Sequence, residues 1–103
     1  MNLNQFEQNV FKWSNDRRIY SNSSAKVQTL KAMSELGELA DSIIKRDEDG
    51  IKDAIGDVMV CLINVAWMSG VSLNKCCEAA WNQIKDRKGY LNENGVFIKE
   101  EKK

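Results

Sequence analysis

The chain has 103 residues, with 15 basic and 15 acidic side chains, three cysteines, and neither histidine nor proline. The missing imidazole excludes Ser-His-Asp and Cys-His nucleophile systems, His-ligated zinc and a histidine general base, so any chemistry rests on carboxylates, lysines or a metal. Zero net charge removes the electrostatic footprint of a nucleic-acid binder, and a 43% hydrophobic fraction excludes disorder.

The length suits one domain, 1–103, whose modest core a partner subunit would help to complete. Within it the pattern predicts an N-terminal helix in 1–20, core helices over 25–88 and a tail over 89–103. Cys61, Cys76 and Cys77 form no CxxC pair and no even-numbered disulfide framework, which fits a reducing cytosol. Met1 to Phe11 is too polar for a signal peptide. The most apolar stretch, Ala54 to Val71, is interrupted by Asp57 and Asn64, whereas a membrane span needs roughly 20 mainly apolar residues. The expectation is a cytoplasmic protein without membrane or nucleic-acid partners.

The first helix, about Asn4 to Asn15, places Phe6, Val10 and Trp13 at helical spacing and ends in the polar run Ser14 to Arg18. After a loop at Ser21 to Ser24, Ser23 or Ser24 can cap a second helix that runs to about Arg46. On it Met33, Leu36, Leu39, Ala40, Ile43 and Ile44 share one broad face, and Lys31, Glu35, Glu38 and Ser42 share another. Asp47 to Gly50 reads as a polar turn.

The third helix, about Ile51 to Ser69, is apolar nearly all round from Val58 onward. Such a helix is buried on several sides, which points to oligomerisation. Gly70 breaks it, and Ser72 caps a last helix reaching about Lys88, with Leu73, one of Cys76 and Cys77, Ala80 and Ile84 on its buried side. Gly89 is placed to end that helix in a left-handed conformation. Asn94-Gly95 signals a hairpin turn, and Lys99 to Lys103 reads as a charged, frayed end. The class expected is all-α, a four-helix bundle with a short hairpin-like tail.

The informative residues are carboxylates. Glu35 and Glu38 lie about 60° apart round the second helix, and Asp53 and Asp57 about 40° apart on the third. Two helices joined by a short turn can bring the pairs face to face, and clustered oxygens suit magnesium shared with substrate phosphates. The plain alternative is a solvated acidic face; Asp57, set directly before the apolar run, argues against it because an unpaired buried carboxylate is costly. Gly37 and Gly56, each one residue before an acid, suggest close helix approach.

Ser34 to Asp41 (Ser-Glu-Leu-Gly-Glu-Leu-Ala-Asp) followed by Asp53 to Val58 (Asp-Ala-Ile-Gly-Asp-Val) resembles the MazG-type nucleoside triphosphate pyrophosphohydrolases, an all-α family with an ExxE pair and, on the next helix, an ExxD pair. The similarity spans about Lys31 to Lys88. It implies magnesium-dependent hydrolysis of a (d)NTP to the (d)NMP and pyrophosphate, with manganese a substitute ion. Carried over, Glu35, Glu38 and Asp57 hold the metal, which neutralises phosphate charge and lowers the pKa of an attacking water; the proton goes to Glu35 or Glu38. Lys85, Arg87 and Lys88, on a last helix that also carries Asn82, grip phosphate oxygens, with Lys31 a further candidate.

One position departs from the family pattern. The acid three residues before Asp57 is Ala54 here, and Asp53 stands about 100° round the helix from it. Asp53 therefore takes over coordination, or fewer metals bind, or catalysis is lost. The rival reading is a non-catalytic helical oligomerisation or regulatory protein on the same scaffold. Trp13, before a polar loop, is the candidate for stacking on a nucleobase, although aromatics at this spacing are ordinarily core. Asn64 reads as a ligand-facing amide or as a buried amide across an oligomer axis. A homodimer or homotetramer is expected.

Overall fold

Polar capping residues set the helix starts, and they do so at every long helix. The computed structural model describes residues 1–100; the expectation of a frayed end at 101–103 lies outside them. In α1 (Leu3–Asp16), Asn2 accepts from the Gln5 amide while the Gln5 side chain accepts from the Asn2 amide, a capping box. Ser24 caps α3 (Ala25–Ile44) by accepting from the Val27 amide, and Ser72 caps α5 (Leu73–Ile84) through the Lys75 amide. Asp47 caps α4 (Glu48–Met68) through the Gly50 amide. The acids expected in a turn therefore form the first turn of α4, where Glu48 and Asp49 complement the positive helix end.

A fifth helix, α2 (Ile19–Asn22), occupies what was expected to be the polar approach to a loop. Arg18, in the left-handed region at φ 60°, reverses the chain between α1 and α2. The reason for the extra turn is a buried amide. Ser14 Oγ and Tyr20 OH donate to Asn64 Oδ1 at 2.9 and 2.7 Å, and Ser14 and Asn64 are almost wholly buried. Asn64 is thus neither ligand-facing nor an amide across an axis: it is satisfied within its own chain, and it ties α1 and α2 to α4.

α3 and α4 form the central αα-hairpin, turning at Arg46, whose φ of 56° is also left-handed. The faces of α3 are inverted relative to a monomeric core helix. Its polar stripe, with Ala32 and Glu35 buried, meets α4, while Met33 (63% exposed), Leu36, Ile43 and Ile44 (80%) look outward. Cys61, Ile63 and Ala66 of α4 are buried, yet Ile55, Leu62 and Trp67 stay exposed, so the burial on several sides expected of this helix is only partial in one copy. Gly37 and Gly56 do not mark close helix approach, because a Cβ at either would meet open space.

Gly70, at φ 80°, ends α4 in a Schellman motif: the Val71 amide donates to Ala66 O and the Gly70 amide to Trp67 O. α5 then leaves at 98° to α4. Glu7, buried on α1, fixes this angle by accepting at Oε2 from the Leu73 and Asn74 amides (2.7 and 3.3 Å). α5 ends at Ile84, short of the expected Lys88. It buries none of Cys76, Cys77, Ala80 and Ile84, since one contact edge near Leu73 is all it presents to the body.

β1 (Gly89–Leu91) and β2 (Phe97–Lys99) pair antiparallel, with Tyr90 opposite Ile98. Asn92 Oδ1 accepts from the Asn94 and Val96 amides to close the turn, and Gly95 has φ 77°. Gly89 is not a helix terminator. It begins β1, where a Cβ would collide with the Ile98 carbonyl and the Phe97 ring. No single helix among the described residues is long and apolar enough to cross a membrane.

Candidate active site

The α3–α4 hairpin places the acids as the spacing predicts for Glu35, Glu38 and Asp57. Glu35 points into the helix interface and is only 6% exposed; Asp57 is half-buried opposite it, and Glu38 and Asp53 lie at the exposed rim. Lys31, one turn before Glu35 on α3, brings its Nζ to 3.0 Å from Glu35 Oε1. Glu35 Oε2 is buried and has no hydrogen-bond partner. Glu38 and Asp57 stand within hydrogen-bonding reach of the Glu35 carboxyl, but ionised carboxylates have nothing to donate.

The electrostatics follow from this crowding. The Lys31 ammonium, and then Glu38, hold the Glu35 carboxyl below the usual carboxylate range. Glu35 in turn pushes Glu38 upward. Burial raises Asp57, with the charges of Asp53 and Glu35 adding to it. Cys61, one turn beyond Asp57, is raised by burial and then by Glu35. Four acids thus share one lysine, and the shortage of positive charge is local and unrelieved.

No three His, Cys, Asp or Glu side chains among the described residues converge ready-made on one ion position. What the chain does present is one carboxylate oxygen removed from water with nothing to bind it, in a group whose remaining members are free to turn. A hard divalent cation fits that donor set. Ala54, 3% exposed, occupies the position of the missing acid with a methyl group inside the helix interface, and Asp53 is displaced from it toward solvent.

A cleft of about 330 Å³ opens beside Asp57, lined by Asn9, Val10, Trp13 and Val60. Trp13 is 45% exposed, and the Arg17 guanidinium carbon lies 4.4 Å from its ring centroid, so one part of the indole is engaged and the rest faces the cleft. Trp67 instead packs on Phe11 and Tyr20, and Trp81 stands exposed on α5. A second recess of about 340 Å³, between α1, α4 and α5, contains Glu7 but none of the four acids. Asn82 lies on the exposed face of α5; Lys85 is its C-cap, and Arg87 and Lys88 follow in the turn into β1. No ion pair or hydrogen bond among the described residues joins these side chains to the acids.

Sequence reasoning did not find Glu7, Ser14 or Tyr20. Glu7, Val10 and Ser14 recur at helical spacing and make the buried face of α1, but two of the three are polar, so a search for apolar periodicity passes over them.

Three comparisons bear on this arrangement. The family model for the MazG nucleotide pyrophosphohydrolase domain matches residues 24–91. An uncharacterized 18.2 kDa protein in the rep-hol intergenic region of Haemophilus phage HP1 is 38% identical over 64 residues, which is 62% of this chain and 39% of that protein's length. The fold matches a cyanophage S-2L MazG-like pyrophosphohydrolase, solved with dGDP and three catalytic Mn²⁺ ions per active site, at a TM-score of 0.74 and 18% identity, covering 98% of this chain and 99% of that one. Because the matching family model covers well over half of the chain and includes both acidic pairs, the protein belongs to the MazG nucleotide pyrophosphohydrolase family.

Proposed function

We propose that this protein hydrolyses a (d)NTP to the (d)NMP and pyrophosphate with Mg²⁺ or Mn²⁺ as cofactor, working as a homodimer or homotetramer. The observation that carries the reading is Glu35 Oε2, a buried carboxylate oxygen without a partner, inside a cluster that lacks positive charge. The dGDP and Mn²⁺ in the cyanophage protein support the same chemistry.

Glu35, Glu38 and Asp57, with Asp53 at the rim, would hold the ion. When bound, it offsets phosphate charge and acidifies the attacking water. Water adds across the anhydride between the α- and β-phosphates, and pyrophosphate leaves with the bridging oxygen. Glu38 or Glu35 takes the proton; Glu38, exposed and without a cation of its own, is the freer of the two. Lys31, whose end is solvent-accessible, can exchange Glu35 for a phosphate oxygen. Trp13 supplies an aromatic face for the base in the cleft that Asp57 also lines. Lys85, Arg87 and Lys88, with Asn82, contact the phosphates.

Oligomerisation is supported by the outward apolar stripe of α3. Met33, Leu36, Ile43 and Ile44 form a contiguous face that a soluble monomer rarely presents. Ala54 favours the second reading, a non-catalytic assembly on the same scaffold, because a methyl replaces a ligand carboxylate.

One experiment separates the two. Purified protein is offered a panel of NTPs and dNTPs with Mg²⁺ or Mn²⁺, and both products are identified chromatographically. Release of monophosphate and pyrophosphate in equal amounts supports the enzyme. No turnover with any nucleotide in either metal leaves the assembly reading.

A further inference from the structure

The four acids sit near the middle of the α3–α4 hairpin, whereas the cations assigned to the phosphates sit at the far end of α5. From Asp57 to the end of α4 is about 16 Å, and α5 adds about 18 Å along a direction turned by 98°. Lys85 is therefore about 20 Å or more from Asp57 in the same copy. A lysine and a carboxylate side chain do not close such a gap between them.

The part of the chain that carries these cations has no reason to stand alone. A two-stranded hairpin is at best marginally stable in water. Yet Leu91, Val96 and Phe97 of this one are half or more exposed, as are Trp81 and Ile84 of the helix before it. The protomer is also too extended for its size. Its radius of gyration is 16.3 Å, against about 13 Å for a compact chain of this length. Its accessible surface is 8252 Å², against about 5,900 Å² for a folded monomer of this mass. The excess, about 2,400 Å² per copy, is of the size that obligate homo-oligomers bury.

We infer that α5 and the β1–β2 hairpin form an arm that packs on a second copy of this chain, and that Lys85, Arg87 and Lys88 of one protomer serve the acidic site of its partner. The inference rests on the pyrophosphohydrolase reading for the use of those cations, though not for the packing of the arm. Charge complementarity selects the occupant. The segment Lys85 to Lys88 has three cations against one acid, and Glu35, Glu38, Asp53 and Asp57 have only Lys31 among them. Glu7, by locking the start of α5 onto α1, holds the arm away from its own site and presents it outward. An isolated protomer thus carries half of two sites.

Mixed oligomers test this. Two full-length variants are produced separately and then together: Glu38→Gln, and Lys85→Ala/Arg87→Ala/Lys88→Ala, whose folding is checked by circular dichroism. Each alone is expected to be inactive. Equal amounts assembled together should recover about a quarter of wild-type activity, because half of the dimers are mixed and each has one intact site. No recovery overturns the inference, and so does a triple variant as active as wild type. In parallel, carbodiimide coupling is applied to mixed ¹⁴N and ¹⁵N protein after subunit exchange, with Lys31–Glu35 as the same-copy reference. Links from Lys85 or Lys88 to Glu38 or Asp53 should join different isotopes; links within one isotope only, or none, overturn the inference. If wild-type protein turns over no nucleotide, the enzymatic reading fails, and the isotope pattern alone decides the arm.

Discussion

Lys31 Nζ lies 3.0 Å from one oxygen of Glu35, while the other oxygen of the same buried carboxylate has no partner. Half of the charge requirement of the site is therefore met from within α3, and half is left for something that arrives. Replacing Lys31 by Met should lower the melting temperature of metal-free protein, since Glu35 then keeps a buried charge with no cation beside it. Saturating Mn²⁺ should remove most of that deficit. Differential scanning fluorimetry with and without metal checks both, and an equal deficit in the two conditions would separate Lys31 from the ion-binding group.

The crowding of acids makes metal-free stability depend on pH. Glu38 and Asp57 have folded pKa values above their ordinary ones, so the stability they allow is full below the carboxylate range and is lost as pH rises through their folded values. Glu35 is lowered and behaves oppositely, losing its contribution as pH falls through its folded value. A divalent cation competes with protons on Glu38 and Asp57. The rise in melting temperature caused by Mg²⁺ or Mn²⁺ should therefore be larger at about pH 8 than at about pH 5. Thermal melts at the two pH values measure it, and a pH-independent rise would place the ion elsewhere.

Asn64 offers a purely structural contrast. Substitution by Leu leaves the Ser14 and Tyr20 hydroxyls without their acceptor in a buried setting, which should cost about 2–3 kcal/mol. kcat of the folded fraction should stay within about twofold, because Asn64 is satisfied by α1 and α2 and not by the acids. Urea denaturation and steady-state kinetics on one preparation test the pair of expectations.

Ala54 and Asp53 can be separated by exchange. If Asp53 acts for the missing acid, Asp53→Asn should reduce turnover at least about tenfold. Adding Ala54→Glu should restore part of it at high metal, although the new side chain must enter a buried position. Recovery in the double variant, scored by pyrophosphate release, assigns coordination to this corner of α4. An unaffected single variant would assign it to Glu35, Glu38 and Asp57 alone.

Much of this was legible in the residues. Capping serines, the Gly70 break and the Asn94-Gly95 turn are local signals, and each does locally what its chemistry predicts. The meeting of Glu35 with Asp57 was legible too, because a short turn between two helices leaves few arrangements. The inverted face of α3 was not. Helical periodicity shows that the apolar and acidic stripes differ, but not which one meets α4, and the answer depends on contacts between copies. Glu7 and the Ser14–Tyr20–Asn64 hydrogen bonds were hidden for another reason: they join residues more than forty positions apart, and no local pattern marks them.

The most direct test of the site is the comparison of wild type with Glu38→Gln at saturating nucleotide and metal, with monophosphate and pyrophosphate quantified together and helical content recorded for both proteins. Wild type should release the two products in equal amounts, and Glu38→Gln should lose about 10²–10⁴-fold in kcat with unchanged helicity. Equal turnover by the two proteins, or release of inorganic phosphate in place of pyrophosphate, would contradict it.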